Sequence, residues 1–174
     1  MFLGRDKPKK EAAVRRELSA RAGIALQAAS FFPAWWLRSE RFPAFALPVP
    51  LVWLSCFLAM VLATGAVWMA VAARHVLGKQ WSYEARLVEG HRLVVGGPYA
   101  HVRHPIYSAL LGMLLATALA YSVWWALFIV AAIHAAGTLI RIRAEERLLE
   151  QAFGEDFEAY RNYVPAMIPR WRAH

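Results

Sequence analysis

The sequence predicts an all-α integral membrane protein of about four transmembrane helices, including a C-terminal helical hairpin. Three observations predict it. Of the 174 residues, 59% are hydrophobic and 18% charged, against roughly 45–50% and 25% in an average soluble domain. Three long stretches contain no Asp, Glu, Lys or Arg, more apolar surface than a soluble chain of this size can bury. The basic residues gather at the ends of those stretches. The same composition excludes a disordered chain, a collagen-like repeat and a disulfide scaffold.

The net charge of +8 would suit nucleic acid in a soluble protein. Here the basic residues flank apolar runs and suit anionic headgroups, so membrane lipids are the expected partners and nucleic acid is not. The single cysteine, Cys56, lies inside an apolar run and reads as a buried structural thiol.

Taken in order, residues 1–21 form a basic cytoplasmic arm. Residues 22–73 hold two N-terminal spans. The first charge-free stretch, Ala22 to Leu37, has 16 residues with Pro33 inside, slightly short of the ~20 a spanning helix needs. Arg21 and Arg38 can snorkel, and Trp35 and Trp36 can sit at the interface. The second stretch, Phe42 to Ala73, opens with Pro43, Pro48 and Pro50, so its helix runs from about Pro50 to Ala73.

The C-terminal region, 74–174, contains a loop, a hairpin over 105–140 and a tail. Pro105 to Ile140 is 36 residues without a charge, about 54 Å as one straight helix against a ~30 Å hydrocarbon core. A break near Tyr121 and Ser122 makes two helices instead, with Tyr121, Trp124 and Trp125 as an interfacial belt. Gly112, Ala116, Ala120, Ala131 and Ala135 are small enough for a tight hairpin. The tail continues the last helix until Gly154 ends it. A short amphipathic helix, Glu155 to Tyr163, follows, and residues 164–171 return apolar side chains to the membrane surface.

Four spans place the seven basic residues of the arm, five of segment 74–104 and six of the tail on one side, leaving Arg38 and Arg41 opposite. By the positive-inside rule both termini are cytoplasmic, in the inner or plasma membrane if the source is bacterial.

Two constellations can carry chemistry. Arg103-His104-Pro105 opens the third apolar run, with Pro105 at the first helical position. A helix N-terminus beside an Arg and a His can hold a carboxylate or phosphate. The plainer reading is an ordinary span start with a snorkelling Arg. Arg141, Arg143, Glu145 and Glu146 lie just past the other end of the hairpin. Arg141 and Glu145 share a helix face, and acidic groups so near hydrocarbon need partners or a wet cavity. The plainer reading is a solvated face with local salt bridges. A hairpin brings both constellations to one cytoplasmic mouth, open to cytosol and lipid. His75, His91, His101, His104, His134 and His174 are too scattered for a metal site, and no metal is expected. His134, in mid-helix, reads as a core hydrogen-bonding residue. There is no phosphate-binding loop, dinucleotide fingerprint or nucleophile elbow.

Gly78-Lys79-Gln80-Trp81-Ser82, then Gly96-Gly97-Pro98-Tyr99 and Arg103-His104-Pro105-Ile106-Tyr107, then Arg143-Ala144-Glu145-Glu146 and Phe153-Gly154-Glu155-Asp156-Phe157 follow one another in a specific order. In these pieces the chain resembles the isoprenylcysteine carboxyl methyltransferase family, with the related phospholipid methyltransferases, over roughly residues 74–171. Ala109 stands where the family often has Gly. The resemblance implies a membrane-embedded methyltransferase using S-adenosyl-L-methionine, with a cytoplasmic cofactor pocket in the C-terminal region. Gly97, Pro98, Tyr99, Val102, Arg103, His104, Pro105, Tyr107 and Glu146 would line that pocket. Arg141 and Glu145 would serve catalysis at the methyl acceptor.

The expected partner is a lipophilic or lipidated substrate, and the favoured acceptor is the carboxylate of an isoprenylcysteine-like molecule. One alternative is N-methylation of a phospholipid of the phosphatidylethanolamine type. An alternative of another class is a membrane reductase using NADPH, for which Arg103, Arg141 and Arg143 offer few basic groups.

Overall fold

The computed structural model describes residues 21–37, 47–78 and 92–169. The basic arm before Arg21, Arg38, Arg41, the loop through Trp81 and His91, and Trp171 and His174 lie outside the described residues.

The first apolar stretch forms helix α1 over residues 21–29 and a short helix α2, Phe31–Trp36, with a turn at Ser30 between them. Pro33 explains the interruption. It has no N–H to give the carbonyl four residues back, and its ring crowds that carbonyl. Helix α3, Val49–Leu77, starts behind Pro48 with Pro50 in its first turn and ends at Gly78, at φ +53°. It runs past the expected Ala73, and Arg74 and His75 occupy its last turn, where cations meet the unpaired carbonyls.

Helix α4, Pro105–Tyr121, and helix α5, Ala126–Phe153, form the expected hairpin, with the break at residues 122–125. Gly154, at φ +52°, ends α5, and helix α6 covers Glu155–Tyr163 as expected. Among the described residues there is no β-strand.

Contacts fix the direction of each segment. The Val123 N–H donates to the Leu37 carbonyl at 2.9 Å, and Ser122 Oγ donates to the Ala34 carbonyl, so the end of α2 meets the tip of the hairpin. Val76 of α3 lies against Gly97, before the start of α4, while Leu62 and Ala66 lie against Gly112. Gly23 lies against Gly137 and Arg141. The four apolar segments therefore alternate in direction: α1 and α2 toward the tip, α3 away, α4 toward, α5 away.

Not all of the hairpin's small residues pack α4 against α5. A Cβ on Gly112 would lie 3.2 Å from Ala66 Cβ in α3, and Ala120 and Ala135 are exposed. Near the tip, α2 packs against both hairpin helices. Ala34 packs there with Leu114, Ala118 and Val130, flanked by Phe31 and Leu127. The close backbone crossing of α5 is with α1, where a Cβ on Gly137 would lie 2.8 Å from the Gly23 carbonyl oxygen.

Helix α3 touches its neighbours through one narrow face containing Ser55, Ala59, Ala66 and Ala73. Trp53, Phe57, Met60 and Trp68 point outward, a surface that suits lipid rather than water. Cys56 is exposed there as well, not buried as expected, because only the small-residue face meets α4. Helices α3 and α5 are each long and apolar enough to cross a membrane. Helix α4, with 17 residues, is about 26 Å long.

Polar side chains inside the bundle are largely paired. Gln27 Nε2 donates to Thr138 Oγ1 at 2.9 Å, and Ser30 Oγ donates to the Gln27 carbonyl at 2.6 Å. Ser30 Oγ also lies 3.2 Å from Nδ1 of His134. His134 is thus the hydrogen-bonding core residue its sequence position suggested.

Candidate active site

The site forms where α4 begins and α5 becomes charged. A 3-10 turn, Gly97–Ala100, leads into it. Gly97 adopts φ +59°, and a Cβ there would lie 2.9 Å from Val76 Cγ2, so glycine suits both the backbone conformation and the approach to α3. Tyr99 and Val102 are buried beneath the turn, and Tyr160 Oη donates to the Tyr99 carbonyl at 2.6 Å, tying the turn to α6. Burial raises the Tyr160 hydroxyl to about 12, which keeps it a neutral donor.

His104 is the N-cap of α4 and sits between two consecutive carboxylates of α5. Its Nε2 is 3.1 Å from Glu146 Oε1, and its Nδ1 is 3.6 Å from Glu145 Oε2. Burial alone would lower the imidazole pKa, but hydrogen bonding and charge from Glu145 and Glu146 outweigh it, and the pKa is raised above the ordinary histidine value. An imidazolium can donate from both nitrogens at once. The Arg103 side chain reinforces the pair: Nε donates to Glu146 Oε1 at 2.9 Å and Nη2 lies 2.8 Å from the same oxygen.

Beside this group, Tyr107 Oη donates to Glu145 Oε1 and accepts from Arg141 Nε at 2.6 Å. Arg141 Nη2 lies 3.2 Å from Glu145 Oε1, and the guanidinium carbon stands 5.3 Å from the centre of the Tyr107 ring. The His104 and Tyr107 rings stack at 5.7 Å. Arg103, His104, Tyr107, Arg141, Glu145 and Glu146 thus form one continuous charged network, as the hairpin reading anticipated. Gly97, Pro98 and Tyr99 approach it through the 3-10 turn. Val102 and Pro105 are buried and shape the backbone.

The start of α4 is less open than its sequence suggests. The N–H groups of Arg103 and His104 donate to the carbonyls of Pro165 and Ala166, both at 2.9 Å. Those of Tyr107 and Ser108 close on the His104 carbonyl at 3.1 Å. Ser108 Oγ donates to the Met167 carbonyl at 2.7 Å, and Arg103 Nη1 donates to the carbonyls of Arg161 and Val164. Residues 164–167 therefore strap over the start of α4, while Ile168 stays exposed. Sequence reasoning missed this strap because its contacts use backbone carbonyls, which carry no side-chain signal. It also gave Tyr160 and Ser108 no role. A hollow of about 310 Å³ lies between Arg103 and residues 161–166, next to the charged network.

The phospholipid methyltransferase family model matches residues 54–156, from α3 to the start of α6, and takes in every residue of the charged network. The chain belongs to the phospholipid methyltransferase family. The protein-S-isoprenylcysteine O-methyltransferase of Schizosaccharomyces pombe is similar to it, 37% identical over 89 residues, covering 45% of this chain and 34% of that protein. An uncharacterized Bacillus subtilis protein, YpbQ, is 31% identical over 75 residues, covering 43% of this chain and 45% of its own length. The chain spans less than half the length of these curated relatives. As a family member with a match to an isoprenylcysteine methyltransferase, it bears out the resemblance its motifs showed.

Proposed function

We propose that the chain is a membrane methyltransferase that uses S-adenosylmethionine to methylate a lipophilic acceptor, with a carboxylate of isoprenylcysteine type as that acceptor. The observation that carries this reading is the charged network at the mouth of lipid-facing helices, lying inside the family match. In this reading residues 74–174 are the catalytic region. Four spans with both termini cytoplasmic agree with the alternating directions of the apolar segments, and a reporter fused after His174 should read as cytoplasmic; a periplasmic or extracellular reading would overturn that topology.

The donor set fits the cofactor. A zwitterionic methionine group and ribose hydroxyls need donors and acceptors together, and His104, Arg103 and Glu146 offer both. Gly97, Pro98 and Tyr99 would line the pocket with Val102, Pro105 and Tyr107. When bound, the cofactor supplies a sulfonium methyl open to in-line attack. An acceptor carboxylate is already nucleophilic near neutral pH and needs orientation and exclusion of water. Arg141 supplies a planar cationic group, and Tyr107 and Glu145 fix its position.

Glu145 receives hydrogen bonds from Tyr107 and Arg141 and faces His104. A carboxylate so surrounded by donors makes a poor general base. That favours a carboxylate acceptor over an amine, which must first lose a proton. N-methylation of a phospholipid amine remains the second reading, on the strength of the family match. The NADPH reductase reading draws no support from that match.

Thermal unfolding tests the cofactor assignment. S-adenosylhomocysteine at about 100 times its dissociation constant should stabilise the native protein by about 2.7 kcal/mol through mass action, whereas NADPH should leave the melting temperature unchanged. Stabilisation by NADPH alone would overturn the proposal.

A further inference from the structure

We infer that Gly23, in α1 and outside the family-matched residues, is a positioning residue for Arg141; this rests on the proposed role of Arg141. Gly23 and Gln27 of α1 and Ser30 of the turn after it are buried on the same side. They meet a matching face of α5 register by register. Ser30 faces His134 and Gln27 bonds Thr138. Gly23 lies over Gly137 and Arg141. The first apolar segment is therefore docked along the polar stripe of α5 that ends in the charged network.

At Gly23 that docking controls a side chain. A Cβ there would fall 2.6 Å from Arg141 Cγ and 2.9 Å from the Gly137 carbonyl oxygen, both below any tolerable separation. Cγ is near the root of the arginine side chain, so displacing it swings the whole guanidinium. The guanidinium holds Tyr107 Oη at 2.6 Å and Glu145 Oε1 at 3.2 Å, contacts that a shift of an ångström removes. The empty space at Gly23 is thus the slot that aims Arg141 at the mouth. An α1 helix with a larger residue here would close that slot.

Gly23→Ala, made in the full chain in bilayers and assayed with labelled S-adenosylmethionine and a prenylcysteine analogue, tests this. Turnover over acceptor KM should fall at least about tenfold, while S-adenosylhomocysteine affinity stays within about twofold, since misplacing one orienting group penalises reaction more than cofactor binding. Gln27→Leu breaks the next contact along the same face. It should lower the melting temperature yet leave acceptor KM and turnover at the native level, an outcome a merely structural role for Gly23 would share. Native turnover and KM in Gly23→Ala would overturn the inference.

If Gly23→Ala does not fold, Gly23→Ala/Arg141→Ala should regain part of the lost folding, because Cγ is gone although the Gly137 carbonyl oxygen still lies 2.9 Å from the new Cβ; no gain over Gly23→Ala would also overturn it. If the native protein transfers no methyl group, the functional reading fails instead. The inference then stands or falls on whether the melting-temperature loss from Gly23→Ala shrinks in the Arg141→Ala background.

Discussion

Arg141→Lys should lower methyl transfer by about a hundredfold, the scale expected when a reacting group is misoriented by about an ångström, with S-adenosylhomocysteine affinity unchanged. Arg141 is buried, only 8% exposed, and its guanidinium contacts the Tyr107 hydroxyl and the Glu145 carboxylate while lying over the Tyr107 ring. A lysine ammonium is a point charge and cannot reproduce the planar set of donors. Were Arg141 only one half of a boundary salt bridge, lysine would serve nearly as well, since such pairs contribute little. Turnover at saturating cofactor, with cofactor affinity measured separately, distinguishes the two. Native turnover would leave Arg141 a structural residue and remove the main support for a carboxylate acceptor.

His104→Ala should cost about 3 kcal/mol of stability, the lower end of the range for breaking a buried ion pair, because Glu145 keeps 26% of its side chain exposed. It leaves Glu145 and Glu146 side by side without the imidazolium between them. If His104 also meets the cofactor carboxylate, S-adenosylhomocysteine binding should weaken by about 1–3 kcal/mol. The raised pKa of His104 sets the direction of a pH effect. Its stabilising contribution is complete below about pH 6.5, the ordinary value in an unfolded chain, and is lost as pH rises through the higher folded value. The melting temperature of the native protein should therefore fall as pH is raised from about 6.5 through that higher value and level off above it, and the His104→Ala variant should lack that fall. Identical pH profiles for the two proteins would show that His104 carries no charge between the carboxylates.

Local signals made much of this legible in the sequence. The start and end of α6, the Gly154 stop and the break after Tyr121 follow from turn chemistry and charge-free run length, which depend on neighbours in the chain. The charged network was legible because an antiparallel hairpin returns residue 141 to the level of residue 107. Choice of neighbour was not legible. Gly112 suited a tight hairpin, yet it packs on Ala66 of α3, and Ala34 of α2 joins the core that α4 and α5 share near the tip. Gly23 and Gly137 lie too far apart in the chain for any periodicity to pair them. The start of α4 looked open because its covering strap acts through the carbonyls of Pro165, Ala166 and Met167. Cys56 looked buried because an apolar run in sequence does not reveal which face of α3 meets lipid.

The most direct measurement is transfer of a labelled methyl group from S-adenosylmethionine by the purified chain in bilayers, offered a prenylcysteine analogue and phosphatidylethanolamine in parallel. The expected product is a methyl ester on the prenylcysteine analogue, recognised because alkali releases its label as methanol, and its formation should fall about a hundredfold with Arg141→Lys. Alkali-stable label on the phospholipid amine alone would contradict the carboxylate acceptor, and no label on either acceptor, from folded protein that S-adenosylhomocysteine does not stabilise, would contradict the methyltransferase assignment itself.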